Sequence, residues 1–315
     1  MRKTYHLCIS SHDEVLYRDK DDYNYAFNCF AYAVMETEAR ALGEGFMSTH
    51  RHAAVQAEDY KDLIHIERYA YSRYFNTKYH RKGRLGEKQA FALNVEGYKH
   101  IQTMLSYVFR QALHHGISNT PFGYEHNSVN CIFRRELGKE FTPELLKDRE
   151  KGSHLPSNID PRYFSNIRMR KDGVLLREDV IDTAYVEELF VTARSFLYCM
   201  NRLSGQKWRD EQLEDSIGGK PIELGDLEPG FQISDILSNE KGRADDRKFN
   251  DTELCDLIDS QYLKRYFRDG ADEQSIYLLP YSKRCDIGND IWHKYRFNVT
   301  KEQIFRCAAI GYTTK

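Results

Sequence analysis

The chain of 315 residues lacks several things that would place it quickly. No stretch approaches the roughly 18 consecutive apolar residues that a membrane helix needs. Mean hydropathy is −0.69, so no membrane partner is expected. The opening MRKTYHLCISSHDEV turns polar after a short run and has no secretory apolar core, so export is not signalled. The seven cysteines are an odd number with no C-x-x-C spacing. That argues against a disulfide framework and against a structural zinc site. Internal repeats and low-complexity tracts are missing too, and prolines number only 7. Large net charge is also absent: 46 basic against 48 acidic residues give −2, which announces neither a nucleic-acid nor a membrane surface. What is present is ample material for a core, with 41% hydrophobic and 13% aromatic residues. Disorder is therefore not expected, and the cytoplasm is the expected compartment.

The average charge hides a local bias. Residues 61–115 hold ten basic residues against four acidic ones, plus five histidines. Ten of the twelve histidines lie before residue 127. Chemistry is expected in the first half, backed by a more acidic second half.

The segment TYHLCIS (4–10) alternates and is rich in β-formers, which predicts a strand. Apolar spacing predicts a helix over 23–42, a strand over 46–56, a second helix over 60–79 and a third over 95–116 stopped by Gly116. Residues 81–88 (RKGRLGEK) read as a basic glycine loop. The prolines and glycine of 141–167 suggest a connector with one short helix, and 178–205 is again helical. A second break falls at 216–232, where glycines and prolines cluster. Beyond it, Asn250 with Glu253 and Thr300 with Gln303 have capping-box spacing. Three units follow: 1–140 carrying the chemistry, 141–215 as a helical connector, and 216–315 as a small helical domain for DNA binding or dimerisation.

His50-Arg51-His52 places two imidazoles on one face if the segment is extended, where they could share a metal ion. In a chain with twelve histidines such a pair can equally be packed side chains. Tyr107 and Gln111 stand one helical turn apart and would project together, yet Tyr98 and Gln102 repeat the spacing, and either pair also suits a buried ring beneath a surface amide. Arg81, Lys82 and Arg84, with Lys78 and Lys88, are the densest basic run, suited to a phosphate backbone or simply to a solvated loop. Tyr and Phe around 69–79 could stack on unpaired bases, and their helical spacing equally suits a core.

Taken in order, these segments resemble the HUH single-tyrosine transposases, in particular the REP-associated tyrosine transposase-like group. YHLCIS followed by VLYRDKDDY (15–23) matches the family's opening. MSTHRHA (47–53) stands where its metal strand lies, and YSRYFNTKYHRKGRLGE (71–87) matches its helix and basic loop. YVFRQALHHG (107–116) matches its nucleophile helix, and FGYEHNSVN (122–130) its trailing aromatic segment. The match spans about residues 4–133. The resemblance implies an α+β fold, an antiparallel sheet with packed helices followed by a mostly helical C-terminal extension. It implies Tyr107 as nucleophile, with His50, His52 and Gln111 holding a divalent ion, Mg2+ or Mn2+. The sequence departs from the family pattern in three places: Ser48 stands for a proline, Gln111-Ala112 for Asn-Pro, and Arg51 for a bulky apolar residue. At Arg51 a charge is expected to be buried, which is costly unless paired.

The implied activity is metal-dependent nicking and joining of single-stranded or hairpin DNA through a 5′-phosphotyrosine, by a nucleoid-associated transposase that can act as a homodimer. Two alternatives are a catalytically silent DNA-structure-binding descendant and a replication or mobilisation initiator. His114 and His115 follow the nucleophile and are less well placed than Gln111 as a third ligand. In the C-terminal unit, Lys301, Gln303 and Arg306 are spaced as the start of a recognition helix, although a packing or dimerisation element fits as well.

Overall fold

The computed structural model describes residues 2–140, 142–157, 159, 164–201, 248–267 and 274–312. Its first part runs β1 (Lys3–Ser10), α1 (Lys20–Glu36), β2 (Arg40–Met47), β3 (His50–Ala57), α2 (Tyr60–Lys78) and β4 (Phe91–Asn94). The four strands form one sheet in the order β2-β3-β1-β4. Each neighbouring pair is antiparallel. This is the split βαβ arrangement, in which two β-α-β units interleave so that β1 and β3 become the central strands. The fold is thus α+β with an antiparallel sheet and packed helices.

Local chemistry starts the helices where the sequence places them. Asp19 caps α1 by accepting from the Asp22 N–H, and Asp59 caps α2 by accepting from Lys61. The expected helix over 23–42 ends earlier, at Glu36, and Ala39–Leu42 lead into and join β2. The expected single strand over 46–56 is two strands joined by a turn at Ser48-Thr49. Gly43 and Gly45 read in the sequence as the close of the first helix, yet both lie inside β2 because helices press on that strand. A Cβ at Gly43 would sit 2.6 Å from the Phe109 ring, and one at Gly45 would sit 3.0 Å from the Val108 carbonyl oxygen.

Those pressing helices are α3 (Tyr98–Phe109) and α4 (Gln111–His114), which cover one face of the sheet, while α1 and α2 cover the other. The expected continuous helix over 95–116 is broken at Arg110. There the Tyr107 carbonyl accepts from the Arg110 N–H at 3.2 Å and from the Gln111 side-chain amide at 3.1 Å. Gly116, at φ 67°, closes the segment in the left-handed conformation that favours glycine.

Further along lie α5 (Arg177–Val180), α6 (Thr183–Phe190) and α7 (Ala193–Asn201), three short helices where the sequence suggests one. The expected break at 216–232 and the stretch 202–205 lie outside the described residues. Then come α8 (Asp251–Leu257), α9 (Tyr281–Tyr295) and α10 (Lys301–Cys307). Both capping boxes form as expected, Asn250 with Glu253 and Thr300 with Gln303. These C-terminal helices share one apolar cluster with the sheet. Polar ties join them as well: buried Arg18 donates to the Cys307 carbonyl at 2.9 Å and pairs with Asp259 at 2.8 Å. Ser48, in the β2–β3 turn, donates to Asp251 at 2.7 Å. Asp251 is in turn gripped by Arg306 through two hydrogen bonds of 2.6 and 2.7 Å. Gln303 and Arg306 are buried and bonded inward, so the expected recognition-helix face is corrected at these two positions, and only Lys301 of the three is exposed.

Candidate active site

Antiparallel pairing sets Ser10 opposite His50, Cys8 opposite His52 and His6 opposite Ala54. Alternation along each strand then sends His6, Cys8, His50 and His52 to one face, the face under α3 and α4. Arg51 points the other way.

The His50 and His52 ring centres are 5.0 Å apart and nearly perpendicular. Tyr107 of the same chain brings its ring to 5.3 Å from His52 and 5.7 Å from His6, edge-on to both. Gln111 follows one turn later, and its amide lies close enough to His50 to favour that ring's charged form. Even so, neither His50 Nε2 nor Gln111 Oε1 has a hydrogen-bond partner, although both are buried. The four residues singled out in the sequence are therefore brought together.

Two residues join them that the H-x-H pattern did not reveal in their roles. His6 Nε2 lies 2.9 Å from His52 Nδ1, so one ring donates to the other and fixes the His52 orientation. His115 is buried with its ring 5.0 Å from His50, and both its nitrogens lack a partner. His114 is exposed, 6.3 Å from Tyr107 by ring centres. The signal that could have found His6 is its two-residue spacing from Cys8 in YHLCIS, but only once the pairing of β1 with β3 is known.

Burial governs the charge state of this cluster. It pushes His6 and His50 down to about 3, with the Arg51 charge adding to the effect on His6. His52 and His115 are lowered as well, first by burial and then by neighbouring imidazoles. Cys8 is pushed up to about 12 by burial, so it remains a thiol. The rings are neutral at pH 7, the state in which imidazole ligates metals and accepts protons.

Among the described residues no three His, Cys, Asp or Glu side chains are grouped as a metal site. A cation here would rely on the amide oxygen of Gln111 as well as on imidazole nitrogen. His50 Nε2 and Gln111 Oε1, on side chains that lie close together and both buried without a geometric hydrogen bond, fit such an ion. His52 has one nitrogen engaged by His6, while its Nε2 meets only the Cys8 sulfur at 4.0 Å. Two imidazoles and an amide make a mixed nitrogen and oxygen donor set for a divalent cation. The enclosure is tight: Tyr107 is 5% exposed and His50, His52 and Gln111 are fully buried.

On the opposite face, Arg51 is accommodated rather than strained. It is fully buried, makes a two-point ion pair with Glu67 of α2, and lies over the Phe30 ring at 5.2 Å. The basic run divides. Lys78 pairs with Asp19 and Asp22 at 2.7 Å, and Arg81 is buried against Glu14 at 2.5 Å. Lys82, Arg84 and Lys88 are exposed. Tyr71, Phe75 and Tyr79 belong to the core, whereas Tyr69 faces solvent.

No protein-family model matches the chain. No curated protein matches it either. Among solved structures, it is similar to a REP-associated tyrosine transposase bound to a REP hairpin. That likeness has a TM-score of 0.36 and 9% sequence identity, over 45% of this chain and 82% of the other. No helix among the described residues is long and apolar enough to cross a membrane.

Proposed function

We propose that the chain is a metal-dependent, single-strand-specific DNA nicking and strand-transfer enzyme of transposase type, with Tyr107 as nucleophile. One observation carries this: Tyr107 stands 5.3 Å from His52 on the same sheet face as the unpartnered His50 Nε2 and Gln111 Oε1. The order of motifs along residues 4–133 supports it as well.

His50, His52 and Gln111 would hold the ion. A bound divalent cation would draw negative charge off the scissile phosphate as the transition state forms. Tyrosine, with an ordinary pKa of about 10, is a poor nucleophile unaided. Burial holds the imidazoles beside Tyr107 far below the phenol in basicity, so the cation's charge would favour the phenolate, with the phenol proton passing to water. The Tyr107 oxygen bonds to phosphorus as the bond from phosphorus to the 3′ oxygen breaks. The departing oxygen takes a proton from water, leaving a 5′-phosphotyrosine and a free 3′ hydroxyl. Because one phosphodiester replaces another, a 3′ hydroxyl from a second strand can reverse the step and join the ends. No nucleotide cofactor is consumed.

The test is incubation of a labelled hairpin-flanked oligonucleotide with Mn2+ and the full chain. A covalent adduct with the wild type and none with Tyr107→Phe is expected. Adduct formation by the variant overturns the assignment of the nucleophile. A second reading, a silent binder of DNA structures, is favoured by the tight enclosure of Tyr107 and by the bond between His6 and His52. DNA binding without an adduct, across metals and substrates, would establish it.

A further inference from the structure

On the helical side of the sheet away from the histidines, a groove runs between α2 and the segment 84–90. Its lining includes Lys61, Arg68, Arg84 and Lys88 and no carboxylate. None of the four cations forms an ion pair with an acid among the described residues, and the nearby Glu67 is committed to Arg51. This differs from Lys78 and Arg81 of the same basic run, which are neutralised by acids.

Arg68 is fixed by donating to the carbonyls of Lys88 at 3.2 Å, Leu85 at 3.5 Å and Glu87. It braces the segment that carries Arg84 and Lys88. The Arg84 charge lies close enough to disfavour the Arg68 charge, after burial itself. Glu67, committed to Arg51, and Glu87 offset these two guanidinium groups only in part, so an anion in the groove would relieve them.

The groove also has an aromatic wall. Tyr69 is 59% exposed, the His65 ring lies nearly parallel to it at 6.3 Å, and Tyr60 lines the same groove. A row of cations beside exposed rings is the combination that grips unpaired strands: the charges follow the backbone and the rings take the bases.

We infer that this groove binds a single-stranded DNA segment, with Arg68, Arg84, Lys61 and Lys88 on its phosphates and Tyr69 against a base. The inference deepens the function proposed above and rests on it only for the choice of DNA.

Fluorescence anisotropy of labelled oligo(dT), duplex DNA and oligo(U) with the full chain tests it, each variant's fold being checked by circular dichroism. Arg84→Gln/Lys88→Gln removes two exposed charges. It should weaken oligo(dT) binding at least tenfold and lower the salt slope by about 1.4, at roughly 0.7 per phosphate contact. Tyr69→Ala should weaken binding about fivefold or more with the salt slope unchanged. Wild-type affinity in both variants overturns the groove, as does a preference for the duplex. Equal or tighter binding of oligo(U) overturns the assignment to DNA. The adduct assay with Tyr107→Phe is independent of these readouts. A chain that binds oligo(dT) through the groove but forms no adduct retains this inference and loses the nicking activity.

Discussion

Arg51 and Glu67 form a two-point ion pair between β3 and α2 in the protein interior, with Arg51 Nε donating to Glu67 Oε1 at 2.9 Å and Nη2 to Oε2. The arginine sits between two histidines whose side chains point to the other side of the sheet. Removing only the acid strands a buried guanidinium. Glu67→Ala should therefore cost about 3–5 kcal/mol in urea unfolding, whereas Arg51→Met/Glu67→Leu should come within about 1–2 kcal/mol of the wild type. Equal losses in the single and double variants would show that the pair does not behave as a unit.

With His52 as a metal ligand, as proposed above, its contact with His6 predicts a metal phenotype. His6→Phe keeps a buried ring but removes the partner of His52 Nδ1. Mn2+ affinity, followed by electron paramagnetic resonance, should fall roughly 10–100-fold, with little change in the cleavage rate at saturating metal. Unchanged affinity would mean that His6 only fills space.

Acid should destabilise the metal-free protein. In the unfolded chain imidazoles titrate near 6.5, whereas folded His6 and His50 are held at about 3 and His52 and His115 are lowered too. Between those limits the unfolded state binds more protons. The stability contribution is complete above pH 6.5 and is lost as pH falls toward 3, by up to about 1.4 kcal/mol per pH unit for each ring. With chelator present, the urea midpoint should drop from pH 7 to pH 5. A flat profile would contradict neutral buried rings.

Gly43 predicts a packing effect. Its absent Cβ would fall 2.6 Å from the Phe109 ring, so Gly43→Ala must displace α3 or the ring. A loss of about 1–3 kcal/mol is expected, relieved in part by Phe109→Leu. If thermal unfolding shows no loss from Gly43→Ala, the helix does not press on β2.

Much of this was legible from the residues alone. Periodicity locates α2, which buries Leu63, Ile64, Glu67, Tyr71 and Phe75 on one face. β1 and α1, buried over most of their length, are marked instead by β-formers and by an apolar run free of glycine and proline. β2 is obscured by Gly43 and Gly45, whose presence answers to helices that arrive sixty residues later. β4 is only four residues long, too short for a periodic signal. His50, His52, Tyr107 and Gln111 were readable as pairs within local segments. His6 and His115 enter the site through strand pairing and the turn after α4, which no local spacing encodes. Likewise Arg81 and Arg84 look alike in a basic run, yet one is paired with Glu14 and the other faces solvent.

The bond from Ser48 to Asp251 gives the last sixty residues a stake in events far from them. Ser48 lies two positions before His50, and the acid it holds is anchored by Arg306. Trimming the tail would free the hairpin tip and let the first imidazole drift. The metal retention and nicking proposed above would then fail together with the tail, even though it supplies none of the proposed ligands.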